Sequence, residues 1–358
     1  MVNENTIYFW LGLSGITSKR ANALAEKFSP FELWERVGKT LTEKSLFGEK
    51  AYDALVRFHS EEFLAQSIDK LDDMGISFIT YDKFPDKLRQ KEVDPPVMLY
   101  YRGNAALLNT ESVAVVGTRA CSAYGKEAAT RLVKDLCESN VTVVSGLASG
   151  VDTYAHRAAL RADGKTIAVL GSGLNCVTPL GNAGLCNEII ESGGLVVSEY
   201  PPRYAATKYT FPERNRIISG LSAGVIVVEA ALKSGALITA NYALEQNRTV
   251  FAVPGNITSI KSVGTNRLLY EGAVPALCAA DVCDTLGLDC AKIVKKPRAI
   301  QLDIFEQKIY NILLSGEENF DSLVIKAELP PPKLSAVLSA MEIKGIIDKK
   351  QSNFYRLA

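Results

Sequence analysis

The sequence has no excess of charge of either sign and few metal-binding side chains. Its 358 residues include 40 Lys or Arg and 40 Asp or Glu, so the formal net charge is zero. This balance excludes a highly basic nucleic-acid coat protein, although a local basic patch remains possible. There are two histidines and no CxxC pair, and Cys278, Cys283 and Cys290 lack zinc-ligand spacing. We therefore expect no metal site, and a reduced protein of the cytoplasm without a disulfide framework.

Signals for membranes, export and common cofactors are also missing. No apolar run approaches the roughly 20 residues of a membrane span, and the N-terminal segment carries Glu4 and no basic region of a signal peptide. A Walker motif is absent, and Gly171-Ser-Gly173 is followed by Cys176 where a dinucleotide-binding loop has its third glycine. The sequence thus predicts no cofactor and no membrane attachment.

The composition divides the chain into four stretches. Residues 1–75 predict a small domain of short amphipathic helices. Residues 76–285 alternate apolar strands with helices, and the polar, basic residues 286–300 predict a linker. Residues 301–358 show the helix–helix–helix–hairpin order of a winged helix.

The strands of the second stretch are uninterrupted apolar runs, which indicates that both faces of a parallel sheet are covered by helices. We assign a doubly wound, Rossmann-like α/β fold with a mainly parallel sheet. The predicted strands are Val113–Val116, Val141–Val144, Ile167–Leu170, Leu195–Val197, Val225–Val228 and Val250–Val253.

Glycine- and serine-rich turns follow several of these strands. Such turns expose backbone N–H groups at helix N-termini, where anions bind. Together the turns predict a phosphate-accepting edge of the sheet. The alternative is that small residues merely permit tight strand–helix connections. The residues in question are Gly117, Thr118, Arg119 and Ser122 after the first strand, Ser145 and Gly146 after the second, Gly171 and Gly173 after the third, and Ser234 and Gly235 near the fifth.

The segment from Lys208 to Arg216 combines cations with an aromatic side chain. Residues 201–270 hold eight Lys or Arg against three Asp or Glu, in a neutral protein. Cations along a backbone and an aromatic ring under a base are what single-stranded nucleic acid requires. Alternatively, Phe211 belongs to the core, while Arg214 and Arg216 form ion pairs with Glu199 or Glu229.

Residues suited to enzyme catalysis are few. His156 stands four residues after Asp152, so both can share one helix face as an acid/base pair. The interpretation we favour makes Asp152 an N-cap and His156 a packed residue. Glu199 and Glu229 end strands and can be read as paired carboxylates or as partners of the arginines. We expect no catalytic residue.

The order of these motifs resembles the bacterial DNA-processing protein family DprA, also called Smf, over residues 80–280. The motifs are Val115-Val-Gly-Thr-Arg119, Ser145-Gly-Leu-Ala148, Phe211-Pro-x-Arg-Asn-Arg-Ile-Ile218 and Glu229 to Thr239. The resemblance implies an extended Rossmann-like domain that dimerises, binds and protects single-stranded DNA and loads the RecA recombinase in natural transformation. It also implies DNA contacts from the glycine turns and from Arg119, Lys208, Phe211, Arg214, Asn215 and Arg216.

A rival function remains open. A nucleotide-binding hydrolase of the lysine-decarboxylase-like, phosphoribohydrolase type shares Rossmann-like glycine turns. That class typically carries a PGGxGTxxE run at a strand end. The nearest strings here, at Ser192-Gly-Gly194 and Ser234-Gly235, do not match it.

Overall fold

The computed structural model describes residues 2–289, 302–343, 346–350 and 353–357. The chain forms two compact units, Met1–Ile293 and Val294–Ala358. Most of the predicted linker, 286–300, lies outside the described residues. The predicted domain boundaries therefore stay a prediction.

Six helices open the first unit, and several begin at strong capping sequences. Ser29 and Glu32 form a reciprocal capping box around Pro30, and Ser60 accepts a hydrogen bond from the backbone of Phe63. Residues 1–75 are mainly helical, as their apolar spacing predicted. The helices are α1 (Glu4–Leu13), α2 (Ser18–Ala25), α3 (Pro30–Arg36), α4 (Lys44–Phe47), α5 (Glu49–Arg57) and α6 (Glu61–Asp73).

A nine-stranded sheet forms the body of the first unit. Its strands are β1 (Ser77–Thr80), β2 (Met98–Gly103), β3 (Ser112–Val116), β4 (Thr142–Ser145), β5 (Thr166–Leu170), β6 (Leu195–Ser198), β7 (Gly224–Val227), β8 (Thr249–Ala252) and β9 (Val274–Pro275). The spatial order is β1-β2-β6-β5-β4-β3-β7-β8-β9. The pairs β1–β2 and β2–β6 are antiparallel and the others parallel. The predicted fold class is confirmed, and the order of strands reverses between β3 and β7, where such sheets bind ligands.

Helices cover both faces of the sheet, as the continuous apolar strands required. Within β3, Val113 and Val115 join one core cluster while Ala114 and Val116 join the other. The helices around the sheet are α7 (Asp86–Arg89), α8 (Ala123–Glu138), α9 (Val151–Arg161), α10 (Ala183–Glu191), α11 (Thr210–Gly220), α12 (Gly235–Glu245), α13 (Val263–Tyr270) and α14 (Ala279–Leu286).

The six N-terminal helices share a hydrophobic core with the sheet. Trp10 is fully buried and belongs to the same cluster as Met98, Tyr100 and Leu170. A Cβ atom at Gly12 would lie 2.7 Å from the sulfur of Met98, so α1 approaches β2 closely. The interface between these helices and the sheet is therefore packed like a protein interior, and its apolar contacts stabilise both parts.

The second unit contains three helices and a small antiparallel sheet. The elements are α15 (Ile304–Leu313), β10 (Glu318–Asn319), α16 (Phe320–Ala327), α17 (Pro331–Ile343), β11 (Ile347–Lys349) and β12 (Phe354–Leu357), with strand order β10-β12-β11. Leu334, Leu338 and Met341 of α17 are buried in the core of this unit. The three helices and the final hairpin follow in the expected order, whereas β10 was not predicted. The winged-helix assignment itself stays a prediction.

Two expectations from composition can be compared with the described residues. No helix among them is long and apolar enough to cross a membrane. Cys121, Cys137, Cys176, Cys186 and Cys278 are free thiols. Cys283 is disulfide-bonded, which differs from the reduced state expected from the sequence.

Removal of the N-terminal helices should destabilise the sheet. We expect a fragment of residues 76–289 to unfold at a clearly lower urea concentration than a fragment of residues 2–289, because Met98, Tyr100 and Leu170 lose their apolar cover. Circular dichroism of both fragments in urea measures this. Equal midpoints would show that residues 76–289 fold independently of the first six helices.

Candidate functional site

A cavity of about 670 Å³ opens at the C-terminal ends of β3 and β7, where the strand order reverses. Its walls are the turn after β3, the start of α12 and the segment that leads into α11. Most of the predicted site residues line it, namely Gly117, Thr118, Arg119, Lys208, Phe211, Arg214, Asn215, Ser234 and Gly235. Ser122, Ser145, Gly146, Gly171, Gly173 and Arg216 are not part of its wall.

Two exposed cations and an aromatic ring form the open side of the cavity. The guanidinium carbon of Arg119 lies 5.0 Å from the centroid of the Phe211 ring, and the Lys208 ammonium lies 5.0 Å from the ring of Tyr209. Phe211 is half-buried, while Arg119 and Lys208 are exposed. Neither cation has a carboxylate within 4.0 Å among the described residues. Both cations can therefore bind an external anion, Arg119 beside the Phe211 ring and Lys208 beside the Tyr209 ring.

Arg214, by contrast, is a structural residue beneath the cavity. Its side chain is 4% exposed, and Nη1 donates to the carbonyl of Gly146 at 2.8 Å and to the carbonyl of Val169. Nε donates to the side chain of Asn215 at 3.1 Å. Burial lowers the pKa of Arg214 to about 10, which still leaves the group charged at neutral pH. These contacts favour the structural role that the sequence left open for Arg214. Its partners are carbonyl oxygens, however, and not the carboxylates of Glu199 or Glu229.

Arg216 forms the ion pair that the sequence offered as an alternative. It is 7% exposed and donates from Nη2 to Glu199 Oε1 at 2.8 Å and to Ser18 Oγ at 2.6 Å. Ser18 belongs to α2, so this contact also ties the N-terminal helices to the sheet. The position gives Arg216 no route to a ligand in the cavity.

Asp152 faces Arg214 across Gly146. Its Oδ2 accepts from the backbone of Gly146 at 3.1 Å and of Ala148 at 3.4 Å. Burial raises the pKa of Asp152 to about 6, against the opposing effect of Arg214, so the carboxylate is ionised at pH 7. The expectation that Asp152 is an N-cap is wrong, because Gly150 holds that position and Asp152 lies within the first turn.

Four of the predicted glycine and serine residues support the site from below. A Cβ at Gly146 would lie 2.6 Å from Arg214 Nη2, and Ser145 donates to the carbonyl of Val115. A Cβ at Gly171 would lie 3.0 Å from the ring of Phe211, and one at Gly173 would lie 2.0 Å from the carbonyl oxygen of Pro201. These positions accommodate packed neighbours, so for them the simple packing alternative holds.

Two helix N-termini near the cavity differ in their occupants. Glu229 is 2% exposed and accepts from the backbone N–H of Ser122 at 2.8 Å and from its hydroxyl at 2.5 Å. An internal carboxylate thus neutralises the start of α8. At α12, Ser234 provides the cap, Gly235 is exposed, and the first turn carries no acidic residue. The start of α12 therefore remains available to an anion in the cavity.

The candidate acid/base residues all have structural roles. His156 is fully buried and its Nδ1 lies 2.8 Å from Thr166 Oγ1. Because that hydroxyl donates to the carbonyl of Val143, we assign the proton of the contact to Nδ1. Burial lowers the pKa of His156 to about 3, so the ring is neutral. Glu199 and Glu229 are held by Arg216 and Ser122, respectively, and do not form a pair.

Metal ligands are not grouped in the described part of the chain, where no cluster of three or more His, Cys, Asp or Glu side chains occurs. The cavity instead offers cations, hydroxyls, backbone N–H groups and the half-buried ring of Phe211. This donor set is suited to a phosphate and a base.

Fold and site together define an α/β protein with a cationic, aromatic cavity at the switch point of a doubly wound sheet. The model of the family described as DNA recombination-mediator protein A matches residues 75–287, which is more than half of the chain. The chain belongs to this family.

Similar proteins agree with this assignment. A DNA processing protein DprA of Streptococcus pneumoniae is 48% identical over 189 residues, which cover 53% of this chain and 66% of the relative, just under two thirds. An X-ray structure of DNA processing protein A from Streptococcus pneumoniae has a TM-score of 0.65 at 36% identity and covers 78% of this chain and 97% of that one. A structure from Helicobacter pylori, described for its single-stranded DNA binding mode, has a TM-score of 0.53 at 32% identity over 59% of this chain and 95% of that one.

Sequence reasoning assigned no role to two tyrosines that lie on either side of Lys208 in the chain. Tyr209 is 65% exposed and Tyr204 is 42% exposed, and both precede Phe211 in the same segment. The signal was present as three tyrosines between positions 200 and 209. The exposure of these rings cannot be read from the sequence, because tyrosine occurs both in cores and at surfaces.

His156 should make the protein less stable in mild acid. Its folded pKa of about 3 lies below the usual 6.5, so below pH 6.5 the unfolded chain binds a proton that the folded chain excludes. The contribution of His156 to stability is then complete above pH 6.5 and falls by up to about 1.4 kcal/mol per pH unit as the pH decreases. Asp152, whose pKa is raised to about 6, acts in the opposite direction below pH 6. Urea unfolding of wild type and His156→Gln at pH 7 and pH 5 separates the two. The loss of stability from pH 7 to pH 5 should be smaller in His156→Gln than in the wild type, and an equal loss would contradict the assignment.

Proposed function

We propose that the chain binds single-stranded DNA along the C-terminal edge of its sheet. A base stacks on Phe211, while Arg119 and Lys208 neutralise adjacent phosphates. The observation that carries this proposal is the placement of Arg119 over the Phe211 ring, at the mouth of a cavity that also exposes the start of α12. The Helicobacter pylori relative, described for single-stranded DNA binding, supports it.

The shape of the site favours unpaired bases. In a duplex the faces of the bases are stacked on one another, so a ring such as Phe211 has no free partner. A single strand offers every base face, and stacking tolerates all four bases. Binding should therefore depend on strandedness and only weakly on sequence.

At the level of the cell, we propose that the chain protects single-stranded DNA and loads RecA onto it in homologous recombination and natural transformation. The family description, a recombination mediator, supports this role. The proposal includes a homodimer formed through the sheet domain, action in the cytoplasm and no catalysis. The buried, hydrogen-bonded state of His156 and Glu229 argues against a nucleotide hydrolase, because neither side chain can reach a substrate in the cavity.

Single-stranded DNA should bind much more tightly than duplex of the same length. Logarithmic affinity should fall with logarithmic salt concentration by about 0.7 per phosphate neutralised. Gel-shift titrations of both forms at several salt concentrations measure these two quantities. Equal affinity for the duplex, or a salt-independent affinity, would refute the proposed function.

Alanine substitutions at single positions should affect either DNA binding or the stability of the fold. Arg119→Ala and Lys208→Ala should weaken binding and reduce the salt slope by about 0.7 each. Phe211→Ala should cost about 1–3 kcal/mol of binding with the slope nearly unchanged, because stacking releases no counterions. Arg214→Ala should mainly lower the melting temperature, since it leaves Asp152 buried without its partner.

Affinity and thermal unfolding, measured on the same variants, test this division. Arg161→Ala is the matched control, because Arg161 is exposed but ends α9 at the opposite edge of the sheet. Normal affinity in the Arg119, Lys208 and Phe211 variants would exclude the cavity as the binding site.

A further inference from the structure

An aromatic pair precedes the cavity segment and is not part of the cavity wall. The rings of Tyr200 and Tyr204 are stacked, with centroids 5.1 Å apart and planes 18° apart. The Tyr200 hydroxyl donates to Glu213 Oε2 at 3.1 Å, so the inner ring is anchored to α11. Tyr204 is 42% exposed. The pair therefore has one face held by the protein and one face open to solvent.

The backbone fixes the open ring on the same edge of the sheet as the cavity. The N–H of Gly173 donates to the carbonyl of Tyr204 at 2.8 Å, and the N–H of Tyr204 donates to Pro201 at 2.9 Å. Gly173 comes directly after β5, which lies two places from β3 in the sheet. At a strand spacing of about 4.8 Å, the end of β5 lies about 10 Å from the end of β3, which leads into the turn that carries Arg119.

The close packing of Pro201 and Pro202 on Gly173 fixes the position of the segment that carries Tyr204. A Cβ there would lie 2.0 Å from the carbonyl oxygen of Pro201 and 2.4 Å from that of Pro202. Only a glycine allows the segment to pack so tightly on the end of β5. The location of Tyr204 is thus preset before any ligand arrives, which lowers the cost of ordering on binding.

The residue before Tyr204 is a cation. Arg203 is exposed and has no carboxylate within 4.0 Å in the described part of the chain. Glu199, the nearest acidic residue in sequence, is bound to Arg216, and Glu213 accepts from Tyr200. Arg203 and Tyr204 thus place an unpaired cation and a partly exposed ring at adjacent positions of the chain.

We propose that Tyr204, backed by Tyr200, is a second base-stacking platform that extends the DNA track from the cavity toward β6. The inference rests on the proposed function, because it requires a strand that already occupies the cavity. A strand long enough to leave the cavity on the β6 side stacks a further base on Tyr204, and Arg203 neutralises the adjacent phosphate.

Strand length distinguishes this platform from the cavity. The full-length chain is titrated with oligodeoxythymidines of about 4 and about 16 nucleotides, the range of site sizes known for single-strand binders. Tyr204→Ala should lose roughly tenfold in affinity for the long strand, with little loss for the short one. Tyr204→Phe should recover most of that loss. Arg203→Ala should reduce the salt slope by about 0.7 on the long strand alone.

Two further variants serve as controls. Phe63→Ala removes another partly exposed ring that stacks on a neighbour, Phe58, on the N-terminal helices, and should not affect binding. Tyr204→Leu keeps Tyr200 covered without a π face, so its failure to bind long strands excludes a folding defect as the cause.

Wild-type affinity of Tyr204→Ala for the long strand, or an equal loss on both lengths, overturns the platform while leaving the cavity in place. Absence of single-strand binding by the wild type at both lengths overturns the proposed function as well.

Discussion

The buried guanidinium of Arg214 is the contact on which the geometry of the site depends. It bonds to carbonyls at the ends of β4 and β5 and faces the carboxylate of Asp152, which in turn fixes the turn at Gly146. The same arginine belongs to α11, one turn after Phe211. The half-buried ring of Phe211 is thus connected rigidly to two strand ends. Loss of one member of this group leaves an uncompensated buried charge, which typically costs more than the pair itself contributes.

The packing around Arg214 and Phe211 explains why several strand ends carry glycine. Gly146, Gly171 and Gly173 are small because Arg214, Phe211 and the turn at Pro201 occupy the space that a side chain would need. The turn after β3 and the start of α12 are the ones that face the cavity. Glycine at a strand end therefore has two functions here, and the neighbours of each position decide which one applies.

The sequence predicts the fold well because burial on both faces leaves a visible pattern. The position at which the strand order reverses, between β3 and β7, was not predicted. The parallel strands, and Arg119, Lys208 and Phe211 at the cavity, follow from local patterns. The burial of Arg214 does not, because a cation looks the same in sequence whether it meets solvent or a carbonyl across 68 residues. The antiparallel β2 was also missed, because its pairing with β6 is set by distant residues.

The distribution of paired and unpaired charge decides how DNA would be held. Half of the eight cations of residues 201–270 are already engaged by the protein, since Arg214 and Arg216 are buried, Arg248 donates to Gln90 and Arg267 forms an exposed ion pair with Glu271. The exposed cations at the cavity are then few, chiefly Arg119 and Lys208. Few phosphate contacts give a shallow salt dependence, so most of the affinity has to come from stacking. A protein with zero net charge can therefore bind a polyanion when its aromatic faces, rather than its charge, provide most of the binding free energy.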